Sequence, residues 1–523
     1  MKRVGRRGLL QAGFGAALAA GVAGQARADV PTHRWDGYDF GPGPRVTDRL
    51  NQGPFGIEQD DGWYTVAAAS PSKKPVRNFG CGLVGYTWEE KGPSLAARRG
   101  AETLEQHVER MASLPFVSVL YIRCDWREVQ RRAGRLDLHP VFGLTLDAAR
   151  RRGLRVAFRI QLSNEAFQPE RLAMPDFVAA KVPSVSIGRT ARAQFDYREP
   201  MYHHPEFMKA FRDLTELLAA EFDGNPAMEF MDLMQYGFWG EGHTSNLPSP
   251  FPDYLTAERT CMEMTRLQLE AFRRCQLAVN TQPDISRTGN REVIDMAVRA
   301  GCWLRSDSIL FDEPEQIEAL SNRPAWLATI MEDGYFRQYQ VDGNYLPVDE
   351  AGVNRLELSM LHTLDLGANY WGLWTESANL RRYNERYPEG FAALEERMGY
   401  RLRPSWIWQR KRLGAREFIV AVANDGVAAA PGVIRLTLRD PEGSFRLEGS
   451  LDAGHPHGGR LRQASLLVPR EVTARKLHLT AELESKGAVR RPVRWACAQP
   501  LAGDGAFVIP VKDEADADWR KNV

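Results

Sequence analysis

The chain has 523 residues, 43% hydrophobic and 26% charged, an ordinary globular composition that is too long for one core and predicts a large domain with a smaller companion. Its 68 basic residues nearly balance 67 acidic ones and no basic stripe stands out, which argues against a nucleic-acid partner and for a small neutral one. The six cysteines, at 81, 124, 261, 275, 302 and 497, lack CxxC or CxxH spacing, so no metal or cofactor and few or no disulfides are expected.

The first predicted element is an export signal over residues 1–28. Lys2, Arg3, Arg6 and Arg7 form a charged start, residues 9–23 a mildly apolar run, and Ala26-Arg27-Ala28 a cleavage-type ending. The Arg6-Arg7 pair resembles a twin-arginine signal, with Gly5 where a polar residue is usual, so a periplasmic or secreted protein is expected. The apolar run is shorter than the ~20 residues a membrane span needs. Cleavage removes five basic and no acidic residues, leaving an excess of four acidic ones. No feature of the sequence specifies an oligomeric state.

Residues 29–75, rich in Gly, Pro and Asp, predict an irregular lead-in to the main domain. From Asn78 onward, short apolar runs alternate with amphipathic stretches, the pattern of βα units. Eight strands are expected near 78–86, 116–123, 154–160, 228–236, 276–281, 302–307, 325–332 and 368–374. Helices are expected near 93–113, 143–152, 205–222, 254–274, 290–300, 313–321, 349–366 and 388–398. The fold class this predicts is α/β, a (β/α)8 TIM barrel over residues 76–402. A doubly wound sheet is the competitor, but no Gly-rich phosphate turn follows the first strand. Residues 403–523 carry short strand-like runs between turn residues and predict a C-terminal all-β sandwich.

Candidate chemistry gathers at the strand ends. The run Met231-Asp232-Leu233-Met234-Gln235-Tyr236 leads into Gly237-Phe238-Trp239-Gly240-Glu241-Gly242-His243, which presents a carboxylate among aromatics at the tip of the fourth strand. Glu332, or Asp333 if the register slips by one, ends the seventh strand across the barrel mouth. Two such carboxylates suit glycoside hydrolysis, one protonating the leaving oxygen and one attacking or stabilising the sugar carbon. Asp125, Asp307 and Glu376 are further candidates. Trp374 offers an indole face to a pyranose, Trp88 and Trp126 further walls, and Trp239, His243, Tyr335, Glu376, Asn164, Arg159 and Asp307 polar or aromatic contacts to a carbohydrate substrate. Arg123, at the end of the second strand, is a further binding or ion-pairing candidate. The connection of residues 161–204 is unusually long and carries Asn164, Glu165, Arg192, Tyr197, Arg198, Tyr202, His203 and His204, a set suited to a hydroxylated ligand.

Gly237-Phe238-Trp239-Gly240-Glu241-Gly242-His243 resembles the G-x-W-G-E-x-H signature of a poorly characterised bacterial family of β-galactosidase-like barrels. The pair of glutamates on strands four and seven is similar to that of the large (β/α)8 clan of retaining glycoside hydrolases. The resemblance covers about residues 78–400. It implies Glu241 as acid/base, Glu332 as nucleophile and Trp374 as sugar platform. One departure is Gly240, where the clan usually has the Asn that contacts the sugar 2-hydroxyl. Two other readings compete: a non-catalytic carbohydrate-binding barrel, and a metal-dependent hydrolase using His203, His204 and His243, for which no HExxH spacing is present.

Overall fold

The computed structural model describes residue 54 and residues 62–93, 100–281, 290–309, 313–333 and 355–514. The predicted export signal, most of the lead-in and Tyr335 lie outside the described residues, as does the side chain of Asp333.

Eight parallel strands close into a barrel in chain order: Gly82–Trp88, Val117–Asp125, Arg155–Gln161, Met228–Asp232, Leu277–Asn280, Trp303–Ser306, Thr329–Asp333 and Tyr370–Leu373. The last pairs with the first, Trp371 opposite Leu83. This is a (β/α)8 barrel. Each predicted strand is present, but the fourth is shorter than its apolar run implied. It stops at Asp232, and residues beyond it leave the ladder for an irregular loop that reaches Glu241.

Helix ends follow their local chemistry. Thr103 and Gln106 form a reciprocal capping box on Leu104–Ala112. His204 caps Pro205–Phe222 ahead of a proline at its first turn. Asp253 caps Tyr254–Ala271 by accepting the Thr256 N–H. The helix Ser377–Arg386 was not foreseen, its mean hydropathy being too low for a visible apolar stripe. Among the described residues no helix is long and apolar enough to cross a membrane.

After the barrel come two antiparallel sheets. One runs Tyr64–Ala68, Leu402–Arg412, Ala415–Asn424, Leu461–Pro469; the other runs Arg446–Leu451, Val433–Arg439, Lys476–Glu484, Arg490–Val493, with Phe507–Pro510 also pairing on Lys476–Glu484. Lys476–Glu484 alternates buried and less buried positions along its length, as a one-sided sheet requires. Part of the lead-in is therefore regular: Tyr64–Ala68 pairs with the strand around Trp406 and Trp408 and belongs to the C-terminal layer, not to the barrel. An apolar strand with a free edge beside it gains ladder hydrogen bonds that an irregular wrap would leave to water.

The sandwich closes the N-terminal end of the barrel. Val420, Val422, Leu436, Leu438, Leu479 and Leu483 share one buried cluster with Val84, Val119, Phe230, Trp303, Ile330 and Tyr370 from inside the barrel. Tyr400 donates to the Phe79 carbonyl at 2.7 Å, and Asn78 exchanges two hydrogen bonds with the Arg494 backbone. Beneath the lowest barrel layer, buried Glu229 accepts from Arg155, the Gly80 amide and the Tyr370 hydroxyl.

Candidate functional site

Strand alternation decides which side chains meet at the other end of the barrel. Tyr121, Ala157, Phe230, Ala278, Trp303 and Ile330 belong to the inner core. Two residues further along the same six strands stand Arg123, Arg159, Asp232, Asn280, Arg305 and Glu332, all buried. A ring of apolar residues thus supports a ring of charge. The same parity separates Glu332 from Asp333: Met331 joins the outer core between strands and helices, so Glu332 shares the inward face with Ile330.

Arg123 lies at the centre of the charged ring. One end of its guanidinium donates to Glu241 at 2.9 Å and contacts Glu90 at 3.2 Å, and the other end donates to Glu332 at 2.7 Å. Arg159 bonds Glu241 at 3.1 Å and Asp307 at 2.9 Å, while Arg305 bonds Asp307 and Glu332. Asp232 accepts from the Tyr121 hydroxyl and lies 3.4 Å from both Arg159 and Arg305. Asn280 donates to Asp307 at 2.7 Å. Five carboxylates, from Glu90, Asp232, Glu241, Asp307 and Glu332, therefore face three guanidiniums, and the ring has two negative charges in excess.

The cost of that excess falls on Glu332, because buried unpaired charge is costly. Burial, opposed by Arg123 and Arg305, pushes the Glu332 carboxyl up to about 7. Asp307 behaves oppositely. Burial would raise it, but Arg159, Arg305 and Arg123 prevail and hold it well below the usual carboxylate range, helped by a hydrogen bond with the Glu241 side chain. Glu332 thus titrates near neutral pH while its neighbour Asp307 stays charged.

Glu241 reaches the ring from an irregular loop. The Gly237 backbone has φ 78° and pairs with His243, whose carbonyl accepts the Phe238 N–H at 2.9 Å. A Cβ on Gly237 would overlap that carbonyl, so glycine is required there. Trp239 has φ 58°, a left-handed conformation that a tryptophan adopts only when its surroundings impose it. His243 Nε2 lies 2.9 Å from Glu241, and the Trp239 ring packs edge-on to the imidazole.

The predicted site residues divide into three groups. Glu241, Glu332, Arg159, Asp307, His243 and Trp239 come together. Trp374 is half-buried at the end of the eighth strand, packed against the inner core, and Glu376 is the N-cap residue of Ser377–Arg386. Trp88, Trp126 and Asn164 do not line the site. Trp126 is fully buried, donates to Gln130 at 2.8 Å and packs edge-on to Phe207. Trp88 packs on His139 within the outer core. Asn164 uses both donors on the Glu90 carbonyl and Asp125 and its oxygen on the Ala166 amide, which leaves it a clamp between connections. Within the long connection, Tyr202 is buried, Arg198 turns out to Ser184, and His204 is a helix cap.

Sequence reasoning missed Arg305, Asp232, Glu90, Tyr121, Asn280 and Tyr86, whose hydroxyl accepts from Arg305 at 3.2 Å. For Arg305 and Asp232 a signal existed, since each is a charge inside a largely apolar strand two positions after an aromatic, as Arg123 is.

No family model matches the chain, and no curated protein does. Among solved structures it is similar to the exo-β-1,4-mannosidase Op5Man5 from Opitutaceae bacterium strain TAV5, with 14% identity, TM-score 0.35, 64% of this chain covered and 57% of that one. It is also similar to endo-glycoceramidase II from Rhodococcus sp., at 11% identity and TM-score 0.35 over 77% of this chain and 99% of that one. A β-galactosidase from the psychrophilic Marinomonas ef1 matches at 13% identity and TM-score 0.31, over 56% of this chain and 54% of that one.

Proposed function

We propose that the chain is a glycoside hydrolase that cleaves a β-linked glycan with retention, Glu241 serving as acid/base and Glu332 as nucleophile. The supporting observation is the Arg123 guanidinium, whose two ends bond the two glutamates. One guanidinium thereby gathers the two carboxyls at one point of the barrel mouth, and a retaining mechanism uses such a close pair, about 5–5.5 Å apart. Glu332 attacks the anomeric carbon as its bond to the leaving oxygen breaks, and the Glu241 proton moves to that oxygen. Asp307, kept ionised by three guanidiniums, shares a hydrogen bond with the Glu241 side chain and holds that carboxyl in place. Water, deprotonated by Glu241, then displaces the sugar from Glu332. Trp374 supplies the apolar face for the sugar, and Gly240 puts the 2-hydroxyl contact on another residue. The leader of residues 1–28 places the enzyme in the periplasm or outside the cell.

The test is turnover of aryl β-glycosides by the wild type, Glu332→Gln and Glu241→Ala. Loss of all turnover in the first variant, and azide rescue of the second with a β-glycosyl azide product, support the assignment. An α-azide or an active Glu332→Gln overturns it. A wild type that binds oligosaccharide without hydrolysing any β-glycoside is the non-catalytic carbohydrate-binding barrel instead.

A further inference from the structure

The long connection of residues 161–204 holds a buried acid outside the charged ring. Glu199 lies in the strand Tyr197–Pro200, which pairs with Ser184–Gly188, and is fully buried. Both of its oxygens are occupied: the Ser163 hydroxyl donates to one, and the Tyr202 hydroxyl donates to the other at 2.5 Å. Each of those two residues continues to the same place. The Tyr202 oxygen accepts the Gly237 N–H at 2.9 Å, and the Ser163 carbonyl accepts the Trp239 N–H at 3.0 Å. Ser163 also bridges to Phe238, whose ring meets Tyr197 edge-on at 5.5 Å between centroids.

Hydrogen-bond direction makes this a chain of dependence. Tyr202 is wholly buried, packed against Phe207, Tyr236 and Phe251, and among the described residues its hydroxyl proton goes to Glu199. With that proton committed, the lone pair faces the Gly237 amide. Burial pushes the Glu199 carboxyl up to about 7, with Ser163, Tyr202, the Gly237 amide and His243 drawing it back down. Neither of the carboxylate's two side-chain bonds goes to the partner strand of the hairpin that carries it. What it does is fix two hydroxyls whose residues grip the loop two to four positions ahead of Glu241.

We propose that Glu199 is a positioning residue, which through Ser163 and Tyr202 locks the loop of residues 237–243 and so sets the direction from which the Glu241 carboxyl enters the charged ring. The consequence for turnover rests on the glycosidase reading. The anchoring itself does not.

The experiment compares full-length Glu199→Gln and Tyr202→Phe with wild type by amide hydrogen exchange and by kcat and KM on an aryl β-glycoside. Exchange at the Gly237 and Trp239 amides is expected to rise at least about tenfold while that of Val117–Asp125 and Trp303–Ser306 stays unchanged. Misplacement of the acid should lower kcat by about 100-fold and leave KM nearly constant. Should Glu199→Gln fail to fold, Ser163→Ala removes a single hydroxyl and serves the same comparison. Unchanged exchange at Gly237 and Trp239 overturns the anchoring, and faster exchange with full kcat overturns the positioning role. If the wild type cleaves no glycoside, the glycosidase reading falls, and the exchange result still decides whether Glu199 anchors the loop.

Discussion

At the scale of single residues, the site is governed by how many protons the ring can keep. Glu332 must be ionised to attack, and burial has pushed it up to about 7, so kcat/KM should fall about tenfold per pH unit below neutrality as the carboxylate takes up its proton. Arg305 is one of the two cations that pull Glu332 down. Arg305→Gln should therefore move the acid limb of the kcat/KM profile to higher pH. It should also destabilise the protein by about 3–5 kcal/mol, because Asp307 and Glu332 both lose a buried partner. An acid limb unmoved by this change would mean that another group controls it.

Asp125 offers a separate check on stability. Burial, reinforced by Glu128, raises its carboxyl from 3.8 to about 7, against hydrogen bonds from Asn164 and Gln161. A carboxyl raised by folding stabilises fully below its unfolded value, and the benefit is lost as pH rises through about 7. Asp125→Asn keeps one oxygen for both amide donors and has no proton to lose. The variant should be more stable than wild type at pH 8, by about 1–3 kcal/mol, and show a flatter dependence between pH 4 and 8 in denaturant titrations. Equal slopes in the two proteins would show that Asp125 does not titrate in that range.

Among the elements, the loop of residues 237–243 is the most demanding. Gly237→Ala places a Cβ against the His243 carbonyl and forces a left-handed alanine. The barrel strands do not depend on this turn, so the expected variant is folded, with near-native circular dichroism, but at least about 100-fold slower. Full activity would show that the loop accommodates the change without moving Glu241. The same loop marks where the sequence stopped being informative. Periodicity located all eight strands, and the glycines and aromatics around Glu241 were visible as a motif. The end of the fourth strand was not, because the mostly apolar residues 233–236 are equally compatible with a strand and with a loop buried under helices. Trp88 and Trp126 were misplaced for a related reason: an indole just past a strand end can turn into the mouth or out to the helices, and only packing with His139 or Phe207 decides. Ser163 stands 36 residues from Glu199, a contact no local pattern encodes.

For the molecule as a whole, the decisive fact is that one apolar cluster runs from the inside of the barrel into the sandwich. The lowest barrel layer, Val84, Val119, Trp303 and Tyr370, is covered by the C-terminal strands rather than by water or by a loop of its own. Tyr64–Ala68, which precedes the barrel, is a strand of that same sandwich, so the chain begins and ends its described course in the layer beneath the barrel. Arg491 stacks on Phe79 at 3.9 Å just ahead of the first strand, and Asn369 ties the Gly80 carbonyl to that of Ala429. Although the sequence texture changes near Tyr400, separating the two parts would uncover a face with no polar alternative. Barrel and sandwich should therefore unfold together. Scanning calorimetry should give a single transition whose calorimetric and van't Hoff enthalpies agree. A fragment ending at residue 400 should be insoluble or bind hydrophobic dyes strongly, since it exposes the floor of the barrel and leaves Tyr64–Ala68 without its ladder. Two resolved transitions, or a soluble fragment with a native-like near-ultraviolet spectrum, would show instead that the barrel floor is stable on its own and that the sandwich is an appendage.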